Sequence, residues 1–243
     1  MQQNVINLLS DHQVTYREVV INDVYQLRKL RFSPQLAIDI GAHVGCFAAA
    51  VLDRWSNCKV LSVEPNPSNF KSLCDLSKSL PQITAINAAM GRGQVRYCPF
   101  SDSDGHVYWS DGCQDLYQND DDWVAASEET TVPCLTFVQL VSTILPLPKE
   151  YIVKIDCEGA ECTLFNDEEA TKILYGSRHL AVEMHFKPMS WSNAPSDDPL
   201  EIVRQDSGRL LDAAEQWTAS FAATHNIRIS RGTRLWMFTA TRK

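Results

Sequence analysis

The sequence predicts a doubly wound α/β fold: a mostly parallel sheet with helices on both faces, closed by an antiparallel C-terminal hairpin strand. Three observations predict it. From Leu36 to Ile86, short apolar runs alternate with helix-period segments in the order strand, helix, strand, helix, strand, with short connections. The first strand runs into a glycine turn, Asp39-Ile40-Gly41-Ala42-His43-Val44-Gly45. Two later apolar strands, Tyr151 to Ile155 and His179 to Met184, lead into Asp156 and His185, so that charged side chains gather at strand ends above one crevice.

The elements follow in order. The first 33 residues read as a peripheral helical extension (1–33), with Val5, Leu8 and Leu9 on one apolar face and a second helix, Asp23 to Lys29, capped by Asn22 and ending in Arg28 and Lys29. The main domain spans 34–243. Leu36 to Ile40 is a buried strand, and Gly45 to Arg54 a helix rich in Ala and Val. Lys59 to Val63 is the next strand and ends at Glu64-Pro65; Pro67 starts a helix with Phe70, Leu73 and Leu76 at helical spacing. Ile83 to Ile86 is the third strand. Val95 to Cys98 and Val107 to Trp109 read as hairpin strands, Asn119 to Asp122 as an acidic surface loop, and Phe137 to Val141 as a short helix. After the strand Tyr151 to Ile155, a helix starts at Gly159. Beyond the strand His179 to Met184, Ser190 to Pro199 is a polar loop. Leu200 to about Thr224 is helical with an interruption at Ser207-Gly208, and Ile227 to Ile229 with Leu235 to Thr239 forms the closing hairpin, with Trp236 in the core.

Composition excludes several classes. Twenty-two Lys and Arg against 30 Asp and Glu give a net charge of −8, which weighs against a phosphate-backbone binder, so no nucleic-acid partner is expected. No apolar run approaches the roughly 18 residues of a membrane span, and the N-terminus has neither a basic n-region nor a long apolar core. A cytoplasmic protein without a membrane partner is the expectation. The eight cysteines (46, 58, 74, 98, 113, 134, 157 and 162) contain no C-x-x-C pair and read as reduced, mostly buried thiols.

The glycine turn is the strongest local signal. Gly41 permits backbone angles closed to other residues and close approach of a ligand to the main chain; Gly45 lets the helix start pack tightly. Nineteen residues after Gly45, Glu64 ends the second strand, where a carboxylate can accept both hydroxyls of a ribose. The spacing is D-x-G-x-x-x-G and lacks the third glycine of a dinucleotide fingerprint, which argues against a nicotinamide-dependent oxidoreductase. Asp39 ahead of the first glycine would repel a pyrophosphate and suit a cationic ligand such as S-adenosylmethionine.

A second cluster follows Tyr151. In Lys154-Ile155-Asp156-Cys157-Glu158-Gly159-Ala160-Glu161, strand alternation puts Lys154 and Asp156 on one side, and Glu158 favours the dipole at a helix start. Glu183 and His185 come from the next strand. Charges at buried strand ends are costly unless used or paired. Asp156 and His185 are therefore candidate bases for a hydroxyl nucleophile, with Lys154 tuning Asp156 or holding the substrate, and with Glu158 beside them. Glu161 reads as a helix-start residue without a role. Asp156, Glu158, Glu183 and His185 could hold Mg²⁺, but the metal-free reading is preferred, and no metal ligand is assigned.

The runs LAIDIGAHVGCFAAAVL, VLSVEPNPSNFKSL and YIVKIDCEGAECTLF together resemble the FkbM-type methyltransferases, class I enzymes that use S-adenosylmethionine. The resemblance covers about Leu36 to Met184, and K-I-D-C-E-G-A-E is its most specific element. It implies a Rossmann-like class I sheet. Asp39, Gly41 and Gly45 would frame the methionine part of the cofactor, with Ala42 and His43 of the same turn also binding it; Glu64 would hold the ribose, Asn66 would lie beside the adenine and Asn87 and Ala88 would line its pocket, a turn-stabilising role being the alternative for the two asparagines. His43 stands where the family often has Asn, and Asp102 to Thr130 matches no family pattern. The implied reaction is methyl transfer to a hydroxyl of a sugar or other natural-product small molecule. The alternatives are transfer to a small-molecule amine and a cofactor-binding module of the same fold without turnover. Trp109, Trp123 and Trp191 read as packing residues of loop-like segments, and Arg228, Arg231, Arg234, Arg242 and Lys243 as solvated charge near the last hairpin. The sequence leaves the oligomeric state open, a homodimer included.

Overall fold

The computed structural model describes residues 3–9, 12–91, 94–97, 99–101, 107–109, 130–157, 159–186, 199–232 and 235–243. In chain order the elements are α1 (Gln3–Leu9), α2 (Gln13–Tyr16), β1 (Leu36–Ile40), α3 (Cys46–Arg54), β2 (Lys59–Val63), α4 (Pro67–Ser79) and β3 (Ile83–Ile86). The short strands β4 (Ala89–Met90), β5 (Gln94–Tyr97), β6 (Pro99–Ser101), β7 (Val107–Trp109) and β8 (Thr130–Leu135) follow. The chain ends with α5 (Phe137–Ser142), β9 (Tyr151–Ile155), α6 (Glu168–Gly176), β10 (His179–His185), α7 (Pro199–Ser220), β11 (His225–Arg231) and β12 (Leu235–Arg242).

Among the described residues, seven strands form the main sheet in the order β11-β12-β10-β9-β1-β2-β3. The five strands from β10 to β3 run parallel, while β12 lies antiparallel to β10 and β11 antiparallel to β12. The order reverses between β1 and β9, and ligands of open α/β sheets bind beyond the strand ends at such a point. The small strands form two side sheets, β4-β8-β5 and β6-β7.

Side-chain alternation sorts the core onto two faces. Ile38, Ile40, Leu61, Val63, Val153, Ile155, Leu180 and Val182 point to one, beneath Phe137, Leu140, Leu174, Trp217 and Phe221. Ala37, Val60, Ile152 and Ala181 point to the other, beneath Phe47 and Val51 of α3, Leu73 and Leu76 of α4, and Val5, Leu9, Leu27 and Leu30 of the N-terminal segment. By the same alternation Asp39, Ser62, Lys154 and Glu183 fall on the second face, at its carboxyl edge.

Three expectations need correction. Asp23–Lys29 is no helix: α2 runs into a π-helical turn, Arg17–Ile21, and only Leu27–Lys29 forms a 3-10 turn. Asp23 and Gln26 take left-handed φ of 54° and 60°, which breaks any helix there. Gly159 opens no α-helix but caps a 3-10 turn, Ala160–Leu164, because Glu161 folds back onto the amides of Cys157 and Gly159. Helix α7 is continuous through Ser207-Gly208. A mid-helix Gly costs about 1 kcal/mol relative to Ala, and the buried Ala214 and Trp217 further along α7 anchor the helix.

Pro67 sits in the first turn of α4, as the sequence implies, and Trp236 is buried. Six cysteines (46, 58, 74, 134, 157 and 162) are free thiols. Cys98, Cys113, Trp123, Trp191 and Arg234, with the acidic loop Asn119 to Asp122 and most of Asp102 to Thr130, lie outside the described residues. No helix among those described is long and apolar enough to cross a membrane.

Candidate active site

A cavity of about 500 Å³ opens where the strand ends meet, within the range of small-molecule sites. The glycine turn forms its floor. Gly41 has φ +73°, and a Cβ there would stand 1.6 Å from the carbonyl oxygen of Asp156, so only glycine lets β1 and β9 end this close together. Gly45 has φ +93°, and its missing Cβ makes room for Leu76 and Leu73 of α4. Between them His43 also takes a positive φ, 52°.

That turn aims the His43 amide at Glu64, whose Oε2 accepts it at 2.7 Å; Oε1 accepts the Asn66 amide at 2.8 Å. Burial pushes Glu64 up to about 7, against the pull of those two amides. Burial, with His12 and Lys154, pushes the His43 imidazole down to about 4, so it is neutral at physiological pH. The His43 ring lies edge-on to His12 at 5.1 Å. Asn66 caps α4, its side chain accepting from the amides of Ser68 and Asn69. The Asn87 amide donates to the carbonyls of Glu64 and Pro65 at 2.9 and 3.1 Å, tying the ends of β2 and β3 together. Both asparagines thus make the turn-stabilising bonds such residues favour.

Lys154 is 3% exposed and stands between two carboxylates, Asp39 at 3.4 Å and Asp156 at 3.6 Å. It also donates to the carbonyls of Ile40 and Gly41. Burial pulls the lysine down, but Asp156 and Asp39 outweigh it and hold the group above its ordinary value, hence charged. Burial raises Asp39, opposed by Lys154. Asp156 is partly exposed, and its Oδ1 lies 4.0 Å from His185 Nε2. His185 Nδ1 lies 3.4 Å from Glu161 Oε1 and its Nε2 3.9 Å from Glu183 Oε1. Burial, then the neighbouring Asp156 charge, lifts Glu183 to about 7. Cys157 is on the cavity wall, but burial and then Glu161 raise its thiol well above the usual range, which rules out a ready thiolate nucleophile.

Of the residues singled out from the sequence, Gly41, His43, Glu64, Asn66, Ala88 and Asp156 line the cavity. Asp39, Ala42, Gly45, Asn87, Lys154 and His185 are not on its wall: Asp39 and Lys154 lie beneath it, and His185 stands beside Asp156. Glu158 lies outside the described residues. Glu161, which reads from sequence as a plain helix-start residue, is fully buried and takes two backbone amides and the His185 ring. A chain that turns back within two residues of a strand end was the signal that could have found it. Tyr25 gave no such signal, yet its hydroxyl donates to Asp156 Oδ2 at 2.9 Å.

Asp156, Glu161 and His185 have donor atoms within 4.8 Å of one another. Glu161 is fully buried and is not among the residues that line the cavity. The wall as a whole suits a positively charged ligand: Glu18, Glu64, Asp156 and Glu183 line it, and no Lys or Arg does among the described residues.

A family model described as the Methyltransferase FkbM domain matches residues 39–204. No curated protein sequence matches the chain. Among solved structures, it is similar to precorrin-6y C5,15-methyltransferase of Geobacter metallireducens GS-15 (11% identity, 93% of this chain and 88% of that one, TM-score 0.46). It is also similar to M. capricolum TrmK in complex with S-adenosyl-homocysteine (9% identity, 91% and 68%, TM-score 0.43). A third is Aeropyrum pernix fibrillarin with bound S-adenosyl-L-methionine (8% identity, 91% and 74%, TM-score 0.42).

Proposed function

The chain belongs to the FkbM methyltransferase domain family, and from that premise we propose that it transfers a methyl group from S-adenosylmethionine to a hydroxyl of a sugar or other natural-product small molecule, in a reducing, cytoplasmic setting. S-adenosylmethionine is the cofactor of this enzyme class, and it supplies a methyl group on a positively charged sulfur. The residues present fit it. The turn at Gly41 leaves main chain bare toward the cavity, Glu64 offers a buried carboxylate to ribose hydroxyls, and among the described residues the lining carries acids without a Lys or Arg.

In this reading His43, Glu64, Asn66 and Ala88 hold the nucleoside, with Asp39, Ala42, Gly45 and Asn87 shaping the turns that present them. The methionine end lies toward Gly41. The acceptor hydroxyl is bound on the side of Asp156, Glu183, Leu235 and Met237. Asp156 accepts the hydroxyl proton as the new C–O bond forms. A carboxylate suffices for this, since an alkylated alcohol oxygen that still carries its proton is strongly acidic. Lys154 places a positive charge 3.6 Å from Asp156 Oδ2, and His185 Nε2 faces the other oxygen, Oδ1, from 4.0 Å. Glu158 is part of the proposed machinery on sequence grounds only.

The observation that carries the reading is that Glu64 and Asp156 line one acidic cavity. Two measurements test it. Calorimetry with S-adenosylhomocysteine should show micromolar binding by the wild type, about tenfold or more weaker in Glu64→Ala, for which a charge-assisted hydrogen bond is worth about 1.5–3 kcal/mol. Asp39→Ala should weaken it too. Product masses after incubation with a panel of monosaccharides and their methyl glycosides should then rise by one methyl. A wild type that binds no S-adenosylhomocysteine ends the reading; a product methylated on nitrogen ends the oxygen assignment.

A further inference from the structure

Tyr25 lies outside residues 39–204, on a stretch that the rest of the chain works to hold in one shape. The residues around it, Asp23 and Gln26, both have left-handed backbone, a conformation that costs on the order of 1 kcal/mol or more at a non-glycine and persists only where the surroundings enforce it. Here they do. Asp23 Oδ2 accepts the Arg28 amide at 3.0 Å, and the Arg28 guanidinium donates to the Val20 and Ile21 carbonyls at 2.6 and 3.1 Å. The Gln26 amide donates to Thr239 of β12 at 3.2 Å. The buried His179 of β10 donates through Nε2 to the carbonyl of Tyr25 at 2.9 Å, a carbonyl being able only to accept, while its Nδ1 meets the Thr241 hydroxyl at 2.9 Å.

What this frame presents is one side chain. The Tyr25 ring is 3% exposed, packs edge-on against Phe47 at 5.6 Å and lies beneath the Lys154 ammonium at 5.7 Å. Its hydroxyl donates to Asp156 Oδ2 at 2.9 Å, the same oxygen that faces Lys154 at 3.6 Å. The other oxygen, Oδ1, is the one turned toward His185. The carboxylate is thus divided into an oxygen held twice and an oxygen that is not part of either contact.

We propose that Tyr25 is a positioning residue for methyl transfer: its hydroxyl, with the Lys154 ammonium, commits Oδ2 of Asp156 to the scaffold and leaves Oδ1 as the atom that meets the acceptor's proton. The N-terminal segment therefore completes the active site from outside the matched family domain. This inference rests on the reading that methyl transfer takes place in this cavity.

The test uses the full chain, the monosaccharide panel and four forms: wild type, Tyr25→Phe, Asp156→Asn and the double variant. Tyr25→Phe keeps the ring and its packing and removes only the donor. The expected result is a kcat about tenfold or more lower, with acceptor KM and S-adenosylhomocysteine affinity within about threefold of wild type, since the carboxylate is misplaced while the cavity stands. In the Asp156→Asn background, Tyr25→Phe should change the residual rate less than about twofold, as for two residues acting through one group. A Tyr25→Phe enzyme with wild-type kcat overturns the inference. So does a loss of S-adenosylhomocysteine affinity in step with kcat, which would make Tyr25 a cofactor-binding residue, and so does full additivity in the double variant. A wild type that methylates nothing in the panel brings down the function reading and this inference with it.

Discussion

Glu64 joins burial, charge and ligand at a single position. Its pKa near 7 comes first from desolvation. Below its unfolded value both states carry the proton; between there and about 7 the folded, ligand-free chain binds it more tightly than the unfolded chain does. Glu64 therefore contributes stability at low pH that is lost as pH rises through this window. Ribose hydroxyls donating to the carboxylate favour the ionised form, so binding and ionisation are coupled. S-adenosylhomocysteine should bind more tightly at pH 8 than at pH 6, by up to about tenfold for one unit of separation between pH and pKa. Calorimetry at pH 6, 7 and 8 measures it. Glu183 also titrates near 7, but it stands on the acceptor side, so Glu64→Gln should flatten the profile and Glu183→Gln should not. A profile that stays steep in Glu64→Gln would assign the ribose contact elsewhere. His43, pushed down to about 4, is neutral across the range and adds no slope.

At the scale of elements, the approach of β1 to β9 is what brings the two halves of the site together, and Gly41 sets it. Gly41→Ala places a Cβ 1.6 Å from the Asp156 carbonyl, against backbone that cannot rotate away, at a φ of +73°. A loss of about 3 kcal/mol or more is expected in urea unfolding. Gly45→Ala meets only the Leu76 and Leu73 side chains, which can shift, and should cost less, about 1–2 kcal/mol; an equal cost for the two would remove the special role of the β1–β9 contact. This turn was legible in the sequence because its cause is local: a strand, a glycine and a helix start, all within seven residues. Glu64 was legible for the same reason, at the end of its own strand. Asp39 was legible as an acid but not as a partner of Lys154, because their pairing depends on β1 and β9 being neighbours in register. Tyr25 was illegible altogether: its contact with Asp156 spans 131 positions and is delivered by two left-handed residues that no periodicity announces.

At the scale of the whole molecule, residues 3–9 and 12–32 pack on one face of the seven-stranded sheet. The second face of the sheet ends in Asp39, Ser62, Lys154 and Glu183, and a charged edge of that kind needs either water or polar partners. Val5, Leu9, Val19, Leu27 and Leu30 are buried in the same cluster as Phe47, Leu73 and Leu76, so the N-terminal segment is packed as core on the sheet. Thr15, Glu18, Val19, Val24 and Tyr25 then reach the cavity wall that Gly41, Glu64 and Asp156 build from the strand ends. A ligand filling the cavity contacts both bodies at once and must raise the free energy of separating them, since anything bound to the closed form alone stabilises that form by mass action. Hydrogen-exchange mass spectrometry with and without saturating S-adenosylhomocysteine should therefore show added amide protection over residues 12–30 as well as over 59–70. Local opening is read directly in such data. Protection confined to 59–70, with exchange over 12–30 unchanged, would mean that the segment covers the sheet without sharing the ligand, and would leave Tyr25 acting on Asp156 as scaffold alone.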